Sequence, residues 1–228
     1  MDFSFLSQYY KFFLNGAKIT ILLSLFTILF GIIIGICIAL LKISKNKICK
    51  SIATIYVEFI RGTPVLVQLF IVYYGLPQIG IDFSHIPVIG RDYGDFIAAI
   101  VALSINSGAY VAEIVRAGIQ AVDKGQMEAS SSLGMDYKMS MRYIVLPQAV
   151  KNILPALGNE FIALIKESAI VSMIGIHDLM YNAETIRGNI FKPFEPLLVV
   201  AFAYFLLTFT LSKFMSIIER RLDTGDSC

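Results

Sequence analysis

The stretch ITILLSLFTILFGIIIGICIALL, residues 19–41, contains no charged side chain. About twenty apolar residues in an α-helix cross the roughly 30 Å hydrocarbon layer of a bilayer, so this stretch predicts a transmembrane helix. It is too long, and starts too far from the N-terminus, for a cleaved signal peptide, so we expect the helix to stay in the mature protein. Gly31 and Gly35 form a small-xxx-small pair within it, a spacing that favours close approach of another helix.

The composition of the whole chain agrees with a membrane environment. Of the 228 residues, 57% are hydrophobic and 16% are charged, and the mean hydropathy is +0.72. These values exclude a soluble globular domain. The net charge of +2 is too small to indicate a nucleic-acid partner. The three cysteines lack the spacing of a disulfide framework or a zinc site, so no metal site is predicted.

Four further apolar stretches follow the first, which predicts an all-α membrane protein with five transmembrane helices in a single domain, 1–228. A weakly amphipathic segment before the first span, 3–13, is predicted to lie along the membrane surface. Pro64 and the charges before it predict a kink in the second span. The spans are predicted at about 14–41, 52–76, 96–121, 157–176 and 197–218.

Lysine and arginine placement predicts the orientation, because these residues are enriched in short cytoplasmic loops. They are frequent after the first span, between the third and fourth spans, and at the end of the fifth span. The opposite loops hold only Arg91, Arg187 and Lys192, which are balanced by acidic residues. The sequence therefore predicts a multi-pass protein with its N-terminus outside and its C-terminus in the cytoplasm.

The long connection between the third and fourth spans, 122–147, predicts two short helices on the cytoplasmic side. Gly134 is expected to end the first helix, Asp136 to cap the second, and Pro147 to stop it. A helical hairpin with an apolar edge below the bilayer favours a docking surface for a soluble partner. The alternative is an ordinary amphipathic loop.

The residues of this connection resemble the EAA loop of permease subunits in bacterial ABC importers. The resemblance rests on Glu128-Ala129-Ser130, Gly134 and Ile144-Val145-Leu146-Pro147, and Ser130 departs from the family's second alanine. Segments 58–64, 106–110, 157–161 and 166–169 resemble the polar amino-acid uptake branch in particular. The likeness implies type I ABC importer permease architecture, with a coupling-helix hairpin that contacts the ATPase through Glu128, Ala129, Gly134, Ile144 and Pro147.

The resemblance also implies the partners of the chain. Permeases of this branch act in the bacterial cytoplasmic membrane as pairs of identical or similar subunits, with two ATP-binding cassette ATPases and an extracytoplasmic amino-acid-binding protein. No Gly-x-x-x-x-Gly-Lys-Ser/Thr phosphate loop occurs in the sequence, so ATP is expected to bind to the partner chain. The chain itself is predicted to be a transport subunit without a cofactor, without catalytic residues and without enzymatic activity.

Ionisable residues within a span are costly and usually face a cavity or a partner, so they are candidates for an amino-acid site. Glu58 and Arg61 lie three residues apart beside the Pro64 break, where a carboxylate and a guanidinium suit the ammonium and carboxylate of an amino acid. The alternatives are that the two side chains neutralise each other, or that Arg61 reaches the cytoplasmic headgroups.

Polar residues in the other spans extend this candidate substrate site. Glu167 and Ser168 are expected to face the cavity, whereas Lys166 is expected to form a structural pair, because adjacent helical residues point in different directions. Thr63 and Asn106 are uncharged candidates, with helix packing as the alternative role. Glu160 could serve either function, so it stays open.

Three other classes of function fit the sequence less well than an importer does. A secondary transporter would use the intramembrane acids for proton coupling, but five spans without an inverted repeat provide too little machinery. A channel gives the long cytoplasmic hairpin no purpose. A membrane enzyme lacks a nucleophile–base set or a metal cluster in the sequence. Within the resembled family, the alternative is a five-span permease for another small solute, such as methionine.

Overall fold

The computed structural model describes residues 1–81, 83 and 93–223, and within these ranges the regular structure is helical, without a β-strand. Two π-helical turns, Ile71–Gly75 and Met141–Val145, each join two α-helices. A 3₁₀ segment, Ser168–Ile174, continues the α-helix that ends at Glu167. The described α-helices are α1 (Leu6–Ile43), α2 (Lys47–Arg61), α3 (Val65–Phe70), α4 (Leu76–Gln78), α5 (Gly94–Gln120), α6 (Lys124–Ser132), α7 (Tyr137–Ser140), α8 (Leu146–Glu167), α9 (Leu179–Ile190) and α10 (Glu195–Asp223).

Three of the described helices, α1, α5 and α10, are long and apolar enough to cross a membrane. The segments Lys47–Arg61 and Val65–Gln78 meet that description only as a pair, because the chain bends by 105° between them. The charge-bearing α8, which overlaps the predicted fourth span, is not among these helices. Length and composition thus support three or four crossings, fewer than the five that the sequence predicts.

The predicted surface segment 3–13 is wrong, because most of it belongs to α1, which begins at Leu6. Two of its aromatic side chains, Phe5 and Phe13, are buried and pack in one cluster with Leu179 and Ile186 of α9. Burial against another helix stabilises these apolar rings more than an interfacial position does. The N-terminal turns therefore continue the first long helix above its apolar stretch.

The centre of the fold is the close packing of α1 against α5. A Cβ atom added at Gly35 would lie 2.4 Å from the side chain of Val111, and one added at Gly31 would lie 2.9 Å from the hydroxyl of Ser107. Neither distance leaves room for a larger residue, so the glycines allow the two backbones to approach. The small-xxx-small prediction for α1 is confirmed, and α5 is the helix that it admits.

The hairpin formed by α6 and α7 follows α5. Gly134 has a φ of 83°, a conformation that favours glycine, and the Asp136 carboxylate accepts a hydrogen bond from the Met139 amide at 2.7 Å. Ser130 and Ser140 join the two arms through a buried hydrogen bond of 2.7 Å. The predicted break at Gly134 and the predicted cap at Asp136 are confirmed.

The expectation that Pro147 stops the second arm is wrong. Pro147 lies in the first turn of α8, and the chain stays helical from Tyr137 to Ile174. Proline is tolerated in a first turn because its missing N–H has no helical partner there. The wide π turn before it, Met141–Val145, accommodates the change without a break.

Charged contacts tie together the loops at each end of the bundle. Near the N-terminus, Lys192 donates to the Asp2 carboxylate at 2.5 Å, which holds the pKa of Asp2 well below its usual range. At the other end, Lys42 of α1 pairs with Glu113 of α5, and Arg116 donates to the same carboxylate at 2.8 Å. Glu113 thus pairs both within α5 and with α1; Arg91 lies outside the described residues.

Candidate functional site

The bend between α2 and α3 is the most irregular point within the bundle. Pro64 disfavours the helical conformation for the residue before it, so α2 ends at Arg61 and α3 begins at Val65. Gly62 closes α2 by donating its amide to the carbonyl of Glu58 at 2.9 Å. A bend here leaves backbone carbonyls without helical partners, and a buried bend needs other donors.

Gln68 supplies those donors from α3. Its amide nitrogen lies 2.7 Å from the Ile60 carbonyl, 3.1 Å from the Thr63 carbonyl and 2.8 Å from the Thr63 hydroxyl. Its amide oxygen accepts a hydrogen bond of 2.9 Å from Asn106 of α5. Gln68 is only 7% exposed, so one buried amide fixes the bend and attaches it to α5.

The structure therefore brings together two of the predicted site residues, Thr63 and Asn106, through a third that was not predicted. The available signal was a lone amide, Gln68, inside the apolar run that follows Pro64. Both predicted residues use side-chain groups in this network, which matches the alternative role in helix packing. Asn106 is buried, whereas Thr63 is half-buried.

Glu58 and Arg61 lie beside the bend, but they do not neutralise each other. The described residues contain no ion pair between them, and both side chains are exposed. The Arg61 guanidinium instead lies 5.2 Å from the centre of the Tyr110 ring, at a distance typical of a cation–π contact. Each charge is therefore available to a group from outside this chain.

At the end of α8, burial separates the three residues differently from the prediction: Ser168 is buried, whereas Lys166 and Glu167 are exposed. Ser168 is buried, and its hydroxyl donates to the Ile165 carbonyl at 2.9 Å. This contact accompanies the change from α-helix to 3₁₀ helix at that residue. Glu167 and Lys166 are exposed, and no ion pair of Lys166 occurs among the described residues, contrary to the structural pair expected for it.

Glu160 of α8 provides an acidic group beside this network. Its carboxylate accepts a hydrogen bond of 2.9 Å from the Ser107 hydroxyl, next to Asn106 on α5. A carboxylate has room for several donors, and Ser107 provides the one side-chain hydrogen bond found for it in the described ranges. We call the five residues Thr63, Gln68, Asn106, Ser107 and Glu160 the polar layer; it crosses α3, α5 and α8 inside an apolar bundle.

The predicted coupling residues lie on the hairpin and at its junction with α8. Glu128 and Ala129 are exposed on α6, Pro147 is exposed, and Ile144 is half-buried. A cavity of about 650 Å³ separates the hairpin from the end of α5, with Glu128 in its lining. The tip carries large exposed side chains, of which Leu133 is 84% and Tyr137 is 64% exposed. Such a surface is typical of a protein interface.

Comparisons with known proteins agree with this architecture. Residues 19–224 match the family model described as "Binding-protein-dependent transport system inner membrane component". The chain is 42% identical over 226 residues to the arginine transport system permease protein ArtQ of Bacillus subtilis, covering 99% of both chains. It is 41% identical over 223 residues to the putative glutamine transport system permease protein GlnP of Rickettsia conorii, covering 96% of this chain and 98% of the relative.

Solved structures give the same result. A crystal structure of an amino acid ABC transporter with histidines contains a chain that is 50% identical, with a TM-score of 0.88, covering 97% of this chain and 99% of that one. An inward-facing structure of the MetNI methionine ABC transporter, at 20% identity and a TM-score of 0.73 over 97% of this chain and 99% of that one, shows the shared fold alone.

The relatives are permease subunits of transport systems, which confirms that the chain is a transport subunit rather than an enzyme. The family match covers most of the chain, and the fold of these neighbours confirms the predicted permease architecture at the level of an all-helical bundle. Together these findings establish that the chain belongs to the family of binding-protein-dependent transport system inner membrane components.

Proposed function

We propose that this chain is the membrane-spanning subunit of an ATP-driven importer for polar amino acids. Its similarity to glutamine and arginine permeases, and to a 50% identical chain from an amino acid ABC transporter, supports amino acids as the substrate class. The structural observation that carries the proposal is the pair of exposed charges beside the bend, Glu58 and Arg61, because ionisable groups within a span are costly unless they face a cavity or a partner. The exposed hairpin supplies the surface that an ATPase partner needs.

The proposed topology has five crossings, with the N-terminus outside and the C-terminus in the cytoplasm. Helices α1, α5 and α10 cross as single helices, and the bent pair Lys47–Arg61 and Val65–Gln78 crosses as one broken span. Helix α8 and its 3₁₀ extension form the remaining crossing, because Glu160 faces α5 through Ser107 rather than lipid. This count keeps the basic loops on one side.

The proposed substrate site comprises Glu58, Arg61, Thr63, Asn106, Glu167 and Ser168, in two different roles. The exposed charges of Glu58, Arg61 and Glu167 are the groups that contact the ammonium and carboxylate of the amino acid. The other three residues, Thr63, Asn106 and Ser168, hold the surrounding backbone in position without contacting the substrate. Thr63 and Asn106 do so through Gln68, and Ser168 does so through the end of α8.

The proposed partners follow from the family and from the exposed surfaces. An ATP-binding cassette ATPase receives the hairpin at Glu128, Ala129, Gly134, Ile144 and Pro147, and it supplies the nucleotide site. A second permease subunit, identical or similar, completes the path across the bilayer. An extracytoplasmic binding protein delivers the amino acid. Each of these partners is inferred from membership in a binding-protein-dependent transport system.

Reconstitution tests the function directly. The chain is assembled in proteoliposomes with the ATPase and the binding protein encoded beside it, and the uptake of labelled glutamine, arginine, histidine and methionine is measured with and without ATP. We expect ATP-dependent uptake of at least one polar amino acid and none of methionine. Uptake of methionine alone would assign another solute, and uptake driven by a proton gradient without ATP would identify a secondary transporter.

A further inference from the structure

A cavity of about 430 Å³ opens on the side of α1 near its N-terminal end. Its lining contains two lysines, Lys11 and Lys18, with Asn15 between them, and His177 from the connection before α9. Residues at i, i+4 and i+7 share one face of a helix, so the two lysines and the asparagine point in the same direction. One wall of the cavity therefore carries two cationic side chains.

The two lysines are free to bind a group from outside the protein. Both are exposed, and neither makes an ion pair or a side-chain hydrogen bond with the described residues. His177 is held in place, because its ring stacks on Tyr181 with the ring centres 4.4 Å apart. Of the nearby described acids, Asp178 is fully buried and accepts from the Tyr181 amide, and the exposed Asp95 lines a neighbouring cavity rather than this one, so neither forms an ion pair with the two lysines.

The same face of α1 changes from cationic to apolar just below the cavity. Leu22, Leu25, Leu29 and Ile33 continue the spacing of Lys18, and each is 48–54% exposed. At about 1.5 Å per residue, the apolar part from Leu22 to Ile33 is about 16 Å long, roughly half the thickness of the hydrocarbon layer. A cationic end above an apolar stripe of this length matches a phosphate headgroup above one acyl chain.

We propose that this face of α1 is a binding site for an anionic phospholipid of the leaflet at the N-terminal end of the helix. The lipid phosphate lies against Lys11 and Lys18, with Asn15 and the His177 ring as further polar contacts. An acyl chain lies along the apolar stripe from Leu22 to Ile33. Lysine is a point charge that binds phosphate without a fixed geometry, which suits a fluid headgroup. The site is independent of the substrate path, because the polar layer is formed by α3, α5 and α8.

Native mass spectrometry of the full-length chain in mild detergent tests this proposal, with dioleoylphosphatidylglycerol and dioleoylphosphatidylcholine titrated separately. We expect one phosphatidylglycerol to be retained per chain under activation that strips phosphatidylcholine. The double variant K11Q/K18Q should weaken that binding about thirtyfold, because each lysine near a lipid surface contributes roughly fivefold. The variant K124Q/K138Q, which removes two exposed lysines of the hairpin, serves as the charge-matched control and should bind as the native chain does.

The remaining outcomes are equally decisive. Equal retention of the two lipids by the native chain, or equal loss in both double variants, overturns the site. If glycerophosphoglycerol, the headgroup without acyl chains, competes as strongly as the intact lipid, the cavity binds a free anion and the apolar stripe from Leu22 to Ile33 does not contribute to binding. A lipid-free dimer that K11Q/K18Q disrupts would show that a second copy of the chain covers this face instead.

Discussion

Two of the turns in the chain, the bend between α2 and α3 and the hairpin between α6 and α7, are stabilised in different ways. At the first place, between α2 and α3, Pro64 ends a helix inside the bundle, and the buried Gln68 amide bonds the backbone groups left over. At the second place, between α6 and α7, Gly134 turns the chain at the surface, where a Cβ atom would meet nothing within 4 Å. The first turn depends on a buried side chain that also bonds another helix, and the second depends on local backbone conformation.

Because of this difference, substitutions at the two turns should affect different properties: stability at the bend, and coupling to the ATPase at the hairpin. A buried turn that rests on one side chain fails when that side chain is lost, because the groups it bonded remain buried without partners. When the glycine of an exposed turn at positive φ is substituted, the new residue adds backbone strain of about 1 kcal/mol but leaves no buried group without a partner. We therefore expect substitutions at the bend between α2 and α3 to reduce the stability of the permease. Substitutions in the hairpin should leave the fold intact and alter its fit to the ATPase.

The largest expected effect is that of Gln68→Leu. The substitution keeps the approximate volume but removes the Gln68 donor from the Ile60 and Thr63 carbonyls and the Gln68 acceptor from the buried Asn106 amide, so the free energy of unfolding should fall by about 2 to 4 kcal/mol. Membrane yield and the thermal midpoint of the purified chain measure the change. Gln78→Leu is the matched control, since Gln78 is exposed and its side chain bonds only the Tyr74 carbonyl among the described residues. Equal effects of the two variants would contradict the role given to the buried amide.

Glu58→Gln should have a smaller effect, and only on transport. If Glu58 binds the ammonium group, loss of the charge should weaken the apparent affinity for the amino acid roughly tenfold to a hundredfold, at unchanged basal ATPase activity. Because no ion pair joins Glu58 to Arg61 in the described residues, membrane yield should stay normal. Uptake across substrate concentrations in proteoliposomes measures the affinity. Unchanged affinity at normal yield would remove Glu58 from the site.

Much of this comparison could be predicted from the sequence, because local signals determine one of the two turns. Gly134 and Asp136 predict the hairpin through backbone preference and capping, which act between neighbours in the chain. Pro64 predicts the bend in the same way. The partner that stabilises the bend could not be derived, since the contact between Gln68 and Asn106 joins residues from different helices and depends on how α3 packs on α5.

The candidate site shows the same limit. Glu58 and Arg61 share a helical face, and this spacing left a mutual pair open as an alternative to substrate binding. The packing of α2 beside α5 offers Arg61 the Tyr110 ring instead. Pro147 was expected to stop a helix because proline usually does so. Pro147 does not interrupt the helix because it lies in the first turn of α8, directly after the π turn Met141–Val145. The local sequence indicates neither the π turn nor the position of Pro147 in a first turn.

Asp178 extends the comparison to a buried group that can change its charge. It caps α9 by accepting from the Tyr181 amide at 2.8 Å, but burial raises its pKa to about 6. A carboxyl whose pKa is raised in the folded state binds its proton more tightly there. The free energy of unfolding should therefore decrease as the pH rises from about 4 to about 6 and level off above that.

Asp178→Asn tests this, because asparagine keeps the cap and cannot ionise. We expect the variant to lose the decrease in thermal midpoint between pH 4.5 and pH 7, and to be more stable than the native chain at pH 7 by roughly 1 to 2 kcal/mol. Asp123→Asn, at an exposed cap of α6, is the control and should leave the pH profile unchanged. A variant profile that still falls with pH would assign the dependence to another group.

The smallest expected change in stability is that of Gly134→Ala and Glu128→Lys, and their value lies in the contrast with Gln68→Leu. A φ of 83° costs an alanine about 1 kcal/mol, since space for its methyl group is open. Glu128 is exposed on α6 and can be reversed in charge without burying it. Both variants should therefore reach the membrane at nearly native yield.

If the hairpin contacts the ATPase, both variants should reduce co-purification of that subunit and substrate-stimulated ATP hydrolysis, because a tilted arm or a reversed charge no longer fits the same groove. Lys45→Gln, at an exposed position between α1 and α2 and outside the hairpin, is the control for a general loss of surface charge. Full ATPase recovery and full uptake in both variants would show that the turn at Gly134 shapes the chain without coupling it, and the distinction between the two turns would then be one of burial alone.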